Sequence, residues 1–484
     1  MARSRPQKPV IAVIGATGTG KSQLAVEIAR RFNGEIINSD AMQLYEGLPV
    51  ITNKITDEEM KGVPHHLLGA ISHNEETWTV TEFVKRALHV IKDIHSQGKL
   101  PVVVGGTHYY VQSLLFNDTL ADGPGDSEDQ KQDNANGEAY PILDEPTEVI
   151  LAKLREVDPV MADRWHPNDR RKIQRSLEIW LKTGKPASQM YEEQSLRKQS
   201  SGTGDGEAEK QRPAVTARFP ALVFWVHAAN ESLRARLDAR VEKMLANGLL
   251  SEVDELDRFL QSRESEGTQV DRTRGIWVSI GYKEFEAYQR TLAIGSAGEK
   301  ELEKLRTQAI EQVQAGTRQY AKRQIRWIRI KLLNALANAN STKSLYLLDG
   351  SDLSQWHDSV ESPALNLAGK FLDGEPLPEP QNLSNAAAEM LAPKREYDLS
   401  ERRDLWQRKT CETCNTVAVT EADWNKHIQS RGHKIREKKR RQRQETSTEN
   451  SKKKPNIQDA GPEDPLGDIE SAMAALDDLV NGQK

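Results

Sequence analysis

The sequence has few cysteines and no long apolar run. Its 484 residues include only two cysteines, a number that excludes a disulfide framework and fits a reducing compartment. No apolar run approaches the ~20 residues that a helix needs to cross a bilayer. The basic N-terminal "MARSRPQK" lacks the apolar stretch of a secretory signal. We therefore expect no membrane contact and a location in the cytoplasm and nucleus, with a mitochondrial pool as a further option.

A large excess of charge of one sign is also missing. The formal net charge is -5, which by itself argues against a nucleic-acid binder. The average hides local runs, because the acidic tracts "DGPGDSEDQ" and "GPEDPLGDIE" lie apart from the basic runs "RQYAKRQIRWIRIK" and "KIREKKRRQRQ". A chain of this length is too long for one ordinary core, so we expect two or three folded units.

A phosphate-binding motif lies near the start of the chain. The stretch "VIAVIGATGTGKSQLAVEIARRF" combines an apolar strand, the pattern G-x-x-x-x-G-K-[ST] at Gly15–Ser22 and a helix. In such a motif the backbone N–H groups form an anion nest, Lys21 adds a positive charge, and Ser22 offers a ligand for Mg²⁺. The motif serves kinases, ATPases, GTPases and some transferases, so the rest of the chain must indicate what becomes of the phosphate.

Strands and helices alternate after this motif. The pattern predicts buried strands at "GEIINSD", "LPVVVGGTHYY" and "ALVFWVHA", and amphipathic helices at "TEFVKRALHVIKDIHSQGK" and "ESLRARLDARVEKMLANG". We therefore predict the α/β class, with an open parallel P-loop sheet whose ligands lie at the carboxyl ends of its strands. Helical periodicity from Thr147 to Tyr191 predicts a helical insertion in this domain.

The composition divides the chain into six segments. A P-loop core occupies residues 8–140 and resumes with basic helices at 217–345, on either side of a helical insertion at 141–216. A linker at 346–405, a small Cys/His unit at 406–440 and a disordered charged tail at 441–484 complete the chain. The polar stretches 121–140 and 198–212 are expected to be loop expansions.

Two polar residues follow predicted strands. Asp40 ends the second strand in "NSDAMQLYEGL", where a carboxylate beside the P-loop suits a general base or a metal partner. The same residue equally fits a helix N-cap. Thr107 follows "VVVGG", and its hydroxyl suits either orientation of a substrate or capping of the next segment. Spacing alone leaves these alternatives open.

Signatures of other P-loop classes are missing. "TNKITD" approaches the guanine-specificity pattern Asn-Lys-x-Asp, but its Asp lies one residue late, and no apolar strand ends in the paired Asp-Glu of ATPases. The phosphate-binding motif by itself allows an ATP-dependent nucleoside or RNA kinase with an RNA-binding tail, although neither a nucleotide-base pocket nor a phosphate-clamping lid is recognisable in the sequence. It also allows a zinc-finger nucleic-acid adaptor in which the P-loop domain is a regulatory switch.

Both cysteines belong to one metal-ligand pattern, Cys411-x₂-Cys414-x₁₂-His427-x₅-His433. This is zinc-finger spacing, and two thiolates with two imidazoles predict a closed structural Zn²⁺ site with no open position for catalysis. "DWNKHIQSRGHK" is similar to the fingers of double-stranded RNA binders and splicing factors. The adjacent "KIREKKRRQRQ" suits RNA affinity and equally suits nuclear localisation.

Several blocks of the chain together resemble the tRNA dimethylallyltransferase family, also called tRNA isopentenyltransferases. In chain order they are "GATGTGKS", "NSDAMQLYEGL", "PHHLLG", "VVVGGTHYYVQSLL", "VDPVMADRWHPNDRRKIQRSLEIW", "SIGYKEF" and "TRQYAKRQIRWI". The resemblance covers most of residues 10–335. The blocks at Ser39–Gly47, His166–Arg175 and Thr317–Trp327 are far more specific than the P-loop. The Cys/His unit resembles the eukaryotic branch.

The resemblance implies a prenyltransferase. A dimethylallyl group would move from dimethylallyl diphosphate to the N6 amine of adenosine at tRNA position 37, next to the anticodon. Asp40 would act as the general base that accepts the amine proton, and Thr107 would fix that base. The leaving diphosphate needs cationic and hydrogen-bonding partners. The resemblance assigns this role to Mg²⁺ and to Gly15, Thr17, Gly18, Thr19, Gly20, Lys21, Ser22 and Arg240.

The resemblance also implies contacts with the tRNA anticodon stem-loop and makes the helical insertion at 141–216 a tRNA-binding region. Met42, Gln43 and Leu44 would lie against an adenine that has left the loop stack. Arg318, Lys322 and Arg326 recur every four residues as a cationic stripe, for which a solvated helix face is the other interpretation. The remaining implied RNA contacts are Ser39, Ala41, Arg170, Arg171, Lys172, Arg175, Ile280, Gly281, Tyr282 and Lys283. The expected partners are tRNA and dimethylallyl diphosphate, and a monomer suffices.

Overall fold

The computed structural model describes residues 5–75, 77–117, 140–200, 216–267, 270–295, 297–392, 406–414 and 416–452. These residues form two compact units. Unit 1 falls within Met1–Ala162 and Arg170–Asp404, and unit 2 within Asp163–Asp169 and Leu405–Lys484. Nearly all of the predicted loop expansions at 121–140 and 198–212 lies outside the described residues. No helix of the described part is both long and apolar enough to span a membrane.

Unit 1 is built on a six-stranded parallel sheet. Its strands are β1 (Val10–Gly15), β2 (Gly34–Asn38), β3 (His65–His66), β4 (Leu100–Val104), β5 (Ala221–His227) and β6 (Leu345–Asp349). They lie in the order β3-β2-β4-β1-β5-β6. β1 is apolar throughout because both faces of the sheet are covered: Ile11 and Val13 pack into one core layer, while Val10, Ala12 and Ile14 pack into the other. The predicted α/β core is confirmed.

Helices cover both faces of this sheet. The first part of unit 1 contains α1 (Lys21–Arg31), α2 (Asp57–Met60), α3 (Val80–Ser96) and α4 (His108–Leu115). The last part contains α9 (Asn230–Ala246), α10 (Leu249–Ser265), α11 (Tyr282–Ile294), α12 (Glu299–Trp327), a π-helical turn (Ile328–Leu332), α13 (Leu333–Asn338), α14 (Ser362–Asp373) and α15 (Asn385–Met390). Leu24 of α1 and Leu367 of α14 bury the face opposite to that covered by Phe83 of α3 and Val313 of α12.

Four helices lie between the two parts, where the helical insertion is predicted. They are α5 (Thr147–Val157), α6 (Pro159–Arg164), α7 (Arg170–Thr183) and α8 (Ala187–Ser200). α5 packs against α7. The carboxylate of the buried Asp158 accepts hydrogen bonds from the backbone N–H of Met161 at 3.1 Å and of Ser188 at 2.8 Å. These two bonds cap α6 and α8 and fix their relative position.

Two of the predictions for unit 1 are wrong in detail. "LPVVVGGTHYY" is not one strand, because β4 ends at Val104 and α4 begins at His108. A Cβ atom at Gly105 would lie 2.3 Å from the carbonyl carbon of Ser39, so the chain must turn on glycine there. Residues 346–405 are not simply a linker, because β6 pairs with β5 and its Tyr346 is fully buried. The Pro- and Asn-rich composition that suggested a linker begins only after α14.

Unit 2 contains an antiparallel hairpin and two helices. The hairpin pairs β7 (Trp406–Cys411) with β8 (Thr416–Thr420), and α16 (Glu421–Gln429) and α17 (Arg431–Lys452) follow. The Thr420 hydroxyl accepts the Asp423 N–H at 3.1 Å and so caps α16. The helix α17 includes residues 441–452, so the first part of the predicted disordered tail is helical, whereas residues 453–484 lie outside the described part.

Candidate active site and metal centre

The P-loop connects β1 to α1 in a conformation that requires glycine. Gly15 has φ 148° and Gly20 has φ 91°, both in the region that L side chains rarely adopt. A Cβ atom at Gly15 would lie 2.3 Å from the Val226 carbonyl oxygen, and one at Gly20 would lie 2.4 Å from the Trp356 ring. The β6–α14 segment that carries Trp356 therefore packs directly against the phosphate-binding loop.

Two cations converge on this loop. The ammonium group of the half-buried Lys21 donates to the Ala16 carbonyl at 2.7 Å, and desolvation lowers the pKa of Lys21 to about 8. Arg240 of α9 donates from Nη1 to the Thr17 hydroxyl at 2.7 Å, and burial also lowers the pKa of its guanidinium. Two desolvated positive charges beside a cradle of backbone N–H groups form a site for a polyanion.

Asp40 lies at the end of β2, beside these cations. Burial raises the pKa of its carboxyl group, while Lys21, hydrogen bonds from the backbone N–H groups of Met42 and Gly106, and Arg240 oppose that shift. The Met42 N–H donates to Asp40 Oδ1 at 3.2 Å. An ionised carboxylate in this position is a stronger base than one in water, because its pKa lies above the ordinary value.

Neighbouring side chains fix the backbone around Asp40. The Asn38 side chain accepts the Asp40 N–H at 3.0 Å and donates to the Asp40 carbonyl at 3.2 Å. The Thr107 hydroxyl accepts the Ala41 N–H at 3.0 Å. Thr107 therefore contacts the segment that follows Asp40 and helps to hold its conformation.

A cleft of about 1120 Å³ opens where β1, β2 and β4 end. Thirteen of the residues predicted for the site line it: Thr17, Gly18, Gly20, Lys21, Ser22, Asp40, Ala41, Met42, Gln43, Thr107, Arg171, Arg240 and Ile280. The P-loop cations, the raised-pKa carboxylate and several predicted RNA contacts thus share one cavity. Its size accommodates two ligands of modest size side by side.

The side chains of several other predicted residues are buried or make hydrogen bonds within the protein. Tyr282 is 1% exposed and its hydroxyl donates to Asp257 at 2.8 Å, so its side chain cannot contact RNA without unpacking the core. Ser39 and Leu44 are also buried. The Thr19 hydroxyl donates to the Ala16 carbonyl at 2.9 Å and closes the P-loop turn.

Three predicted RNA-binding arginines are paired within unit 1. Arg170 donates to the Leu143 carbonyl at 2.9 Å, Arg175 pairs with Glu178 at 2.9 Å, and Arg318 pairs with Asp238. The other residues predicted for the active site and the RNA contacts do not line the cleft; they are Gly15, Thr19, Ser39, Leu44, Arg170, Lys172, Arg175, Gly281, Tyr282, Lys283, Arg318, Lys322 and Arg326. Of these, Lys172, Lys283, Lys322 and Arg326 are exposed on helix surfaces.

The face of α12 that lines the cleft is not the one that carries the predicted cationic stripe. Tyr320, Arg323 and Trp327 line the cavity, whereas the predicted stripe begins two residues earlier, at Arg318. Both stripes have helical spacing, and two residues correspond to a rotation of about 200° around the helix. The sequence signal that identifies the second face is aromatic residues three and four positions from arginine within "TRQYAKRQIRW".

The Cys/His residues of unit 2 form one cluster. The ligand atoms of Cys411, Cys414, His427 and His433 all lie within 4.8 Å of one another. His433 Nδ1 lies 3.6 Å from Cys411 Sγ and 3.5 Å from Cys414 Sγ, while its Nε2 faces the Glu437 carboxylate at 3.3 Å. His427 Nε2 is buried and has no hydrogen-bond partner within the described part of the chain. A carboxylate behind one imidazole and an orphaned nitrogen on the other fit a tetrahedral Zn²⁺ site.

Comparisons with known proteins point to one family. The family model described as IPP transferase matches residues 43–331. The tRNA dimethylallyltransferase of Schizosaccharomyces pombe is 38% identical over 455 residues, which cover 90% of this chain and 97% of that protein. The Saccharomyces cerevisiae tRNA dimethylallyltransferase is 35% identical over 433 residues, or 88% of this chain and 91% of that protein. A solved eukaryotic dimethylallyltransferase acting on tRNA matches with TM-score 0.68 and 33% identity, covering 91% of this chain and 99% of that one.

Proposed function

This chain belongs to the tRNA dimethylallyltransferase (IPP transferase) family, and from that premise we propose how its cleft transfers a dimethylallyl group to adenosine 37 of tRNA. The donor is dimethylallyl diphosphate. The N6 amine of the adenine attacks C1 of the dimethylallyl group, the C1–O bond breaks, and the diphosphate leaves with the bonding electron pair. One proton of the amine passes to the Asp40 carboxylate. The observation that carries this proposal is the single cleft shared by the P-loop cations and Asp40.

The P-loop would hold the leaving group. Lys21 and Arg240 are positioned to compensate the negative charge that develops as the C1–O bond breaks. Because both cations are desolvated, their interaction with the diphosphate is stronger than it would be in water. The Ser22 hydroxyl lines the same cleft and would hold Mg²⁺, which neutralises the diphosphate when bound.

Asp40 would take the proton that leaves the amine. Its raised pKa makes it a better proton acceptor than an exposed aspartate, while the nearby Lys21 and Arg240 favour its ionised form. An aromatic amine is a weak nucleophile, so alignment of the two substrates matters more than basicity. Thr107 supports this alignment through its bond to the Ala41 backbone.

The far side of the cleft would receive the extruded adenine. Tyr320 and Trp327 offer aromatic faces for base stacking, and Arg323 and Arg171 offer positive charge to the RNA backbone. Anticodon-loop bases are already unpaired, so moving one out of the stack costs a few kcal/mol at most. Lys172, Lys283, Lys322 and Arg326 would contact the RNA outside the cleft.

Unit 2 would add affinity for tRNA. Cys411, Cys414, His427 and His433 would hold a structural Zn²⁺ that fixes the hairpin and α16. The basic helix α17 would then contact RNA phosphates. We also propose that the protein acts as a monomer and works in the cytoplasm, with further pools in the nucleus and the mitochondrion. The basic run of α17 suits nuclear import as well as RNA binding.

A double-label assay tests the function. Dimethylallyl diphosphate that carries ¹⁴C at C1 and ³²P at the β-phosphorus is incubated with the protein, Mg²⁺ and unmodified tRNA. We expect ¹⁴C on adenosine 37 and an equal amount of ³²P released as diphosphate. A parallel reaction with γ-labelled ATP should leave the tRNA unlabelled. Phosphorus label on RNA in either reaction would contradict the transferase and support a kinase.

A further inference from the structure

Gln324 of α12 bridges the two halves of the cleft. Its side chain is 4% exposed. Its Oε1 accepts the backbone N–H of Thr17 at 2.8 Å, and its Nε2 donates to the Gly106 carbonyl at 2.9 Å. One buried amide therefore uses both of its ends, one on the P-loop and one on the β4–α4 loop.

The two loops that it joins have different chemical tasks. Thr17 belongs to the diphosphate cradle and its hydroxyl accepts a hydrogen bond from Arg240. Gly106 donates its backbone N–H to the Asp40 carboxylate and lies next to Thr107. The loop that would bind the leaving group and the loop that contacts the general base are thus both bonded to the Gln324 side chain.

The Gln324 and Asp40 side chains both pack closely against Gly106. A Cβ atom at position 106 would lie 2.4 Å from Gln324 Nε2 and 2.9 Å from Asp40 Oδ2. Glycine at position 106 is what allows Gln324 and Asp40 to approach the same peptide. A shorter side chain at 324 would break both bonds and leave the Thr17 N–H and the Gly106 carbonyl without these partners.

We propose that Gln324 is a positioning residue that sets the distance between the diphosphate cradle and the general base Asp40. This inference rests on the proposed function of that cleft. The same helix presents Tyr320, Arg323 and Trp327 to the RNA side of the cavity. The bridge therefore also ties the RNA-facing helix to both reacting groups.

Single-turnover transfer measures this role directly. Gln324→Ala should reduce the rate about 10²-fold, the effect expected of a misalignment of about 1 Å, while the Kd for tRNA changes less than about twofold. The matched control is Gln314→Ala on the same helix, because Gln314 bonds to the exposed Glu242 at 3.3 Å. This control should retain the wild-type rate.

Gln324→Glu supplies a readout that a merely structural role would not move. A carboxylate cannot donate to the Gly106 carbonyl, but a protonated carboxyl group accepts and donates as the amide does. The rate of this variant, divided by the wild-type rate at the same pH, should rise as the pH falls from about 8 to about 6, since buried glutamates titrate in this range. The division corrects for the pH dependence of the wild-type rate.

The outcomes separate this inference from the function itself. A Gln324→Ala rate within twofold of wild type, or a Gln324→Glu ratio that is flat with pH, would overturn the positioning role while the wild-type enzyme still prenylates tRNA. Loss of rate in Gln324→Ala together with equal losses of tRNA affinity and thermal stability would also overturn it. A wild-type protein that transfers no dimethylallyl group would instead contradict the proposed function.

Discussion

The cleft of unit 1 and the helix α17 of unit 2 use charge in opposite ways. In the cleft, three half-buried groups, Lys21, Asp40 and Arg240, carry shifted pKa values and lie close enough to influence one another. On α17, basic side chains such as Lys438 and Lys439 are exposed and are flanked by Glu437. Burial makes each charge of the cleft strong and dependent on geometry, whereas exposure makes each charge of α17 weak and additive.

This difference predicts how each region responds to substitution. A single substitution in the cleft should reduce the rate of the chemical step by orders of magnitude and leave the affinity for tRNA unchanged. A single change on α17 should alter tRNA affinity slightly, in a manner that depends on salt, and leave the chemical step intact. The predictions below test this division from the largest effect to the smallest.

Asp40→Asn should have the largest effect. Removal of the general base should lower the single-turnover transfer rate about 10³-fold, because the amine proton has no acceptor of matched pKa. Asp93→Asn, at an exposed site on α3, is the control and should keep full activity. The Kd for tRNA should not change. Parallel loss of tRNA affinity and rate would show that Asp40 is structural.

Arg240→Gln should come next. The leaving diphosphate loses one desolvated cation, so the rate should fall about 10²-fold, in the range seen when a preorganised charge partner is removed. Arg234→Gln, on an exposed face of the same helix, is the matched control and should change the rate less than about twofold. If both arginines have equal effects, the loss reflects the net charge of α9 and not a contact with the diphosphate.

Cys411→Ser should act on affinity. Loss of one thiolate ligand should release zinc and unfold unit 2, which we expect to weaken tRNA binding about tenfold by the removal of a basic surface. Zinc content and Kd are the measurements, and Glu412→Gln, at an exposed neighbour, is the control. At saturating tRNA the transfer rate should equal that of wild type. Complete loss of transfer at saturation would show that unit 2 takes part in the chemical step.

Lys438→Gln should have the smallest effect. One exposed cation on α17 should change tRNA affinity about twofold near physiological salt and lower the slope of log Kd against log salt by less than about 1. Lys438→Arg keeps the charge and should restore the wild-type slope. A tenfold effect from this single residue would contradict the additive view of α17.

Sequence patterns predict the parts of the molecule in which local chemistry dictates structure. The P-loop, the parallel strands and the Cys/His cluster follow from glycine geometry, apolar runs and ligand spacing, and the structure confirms them. The face that α12 turns to the cleft does not follow from helical spacing alone, because Arg318 and Tyr320 both begin stripes that fit one helix face, and tertiary packing selects between them. The role of Gln324 cannot be predicted from the sequence either, since its two hydrogen-bond partners lie more than 200 residues away along the chain.

Burial also distinguishes two regions that sequence patterns describe only in part. Tyr282 belongs to a block that resembles an RNA-contacting turn, but its bond to Asp257 places the ring in the core. Tyr346 and Trp356 lie in the segment predicted as a linker, yet β6 completes the sheet and Trp356 packs on Gly20 of the P-loop. Composition near a proline-rich stretch does not reveal that a short edge strand precedes it.

The pH dependence of single-turnover transfer tests the central claim most directly. A base works only when ionised, so the wild-type rate should fall as the pH drops through the raised pKa of Asp40, with a midpoint above that of an ordinary aspartate. Asp40→Asn should show a low rate with no such acidic limb. An acidic limb that persists unchanged in Asp40→Asn would contradict the assignment of Asp40 as the group that accepts the amine proton.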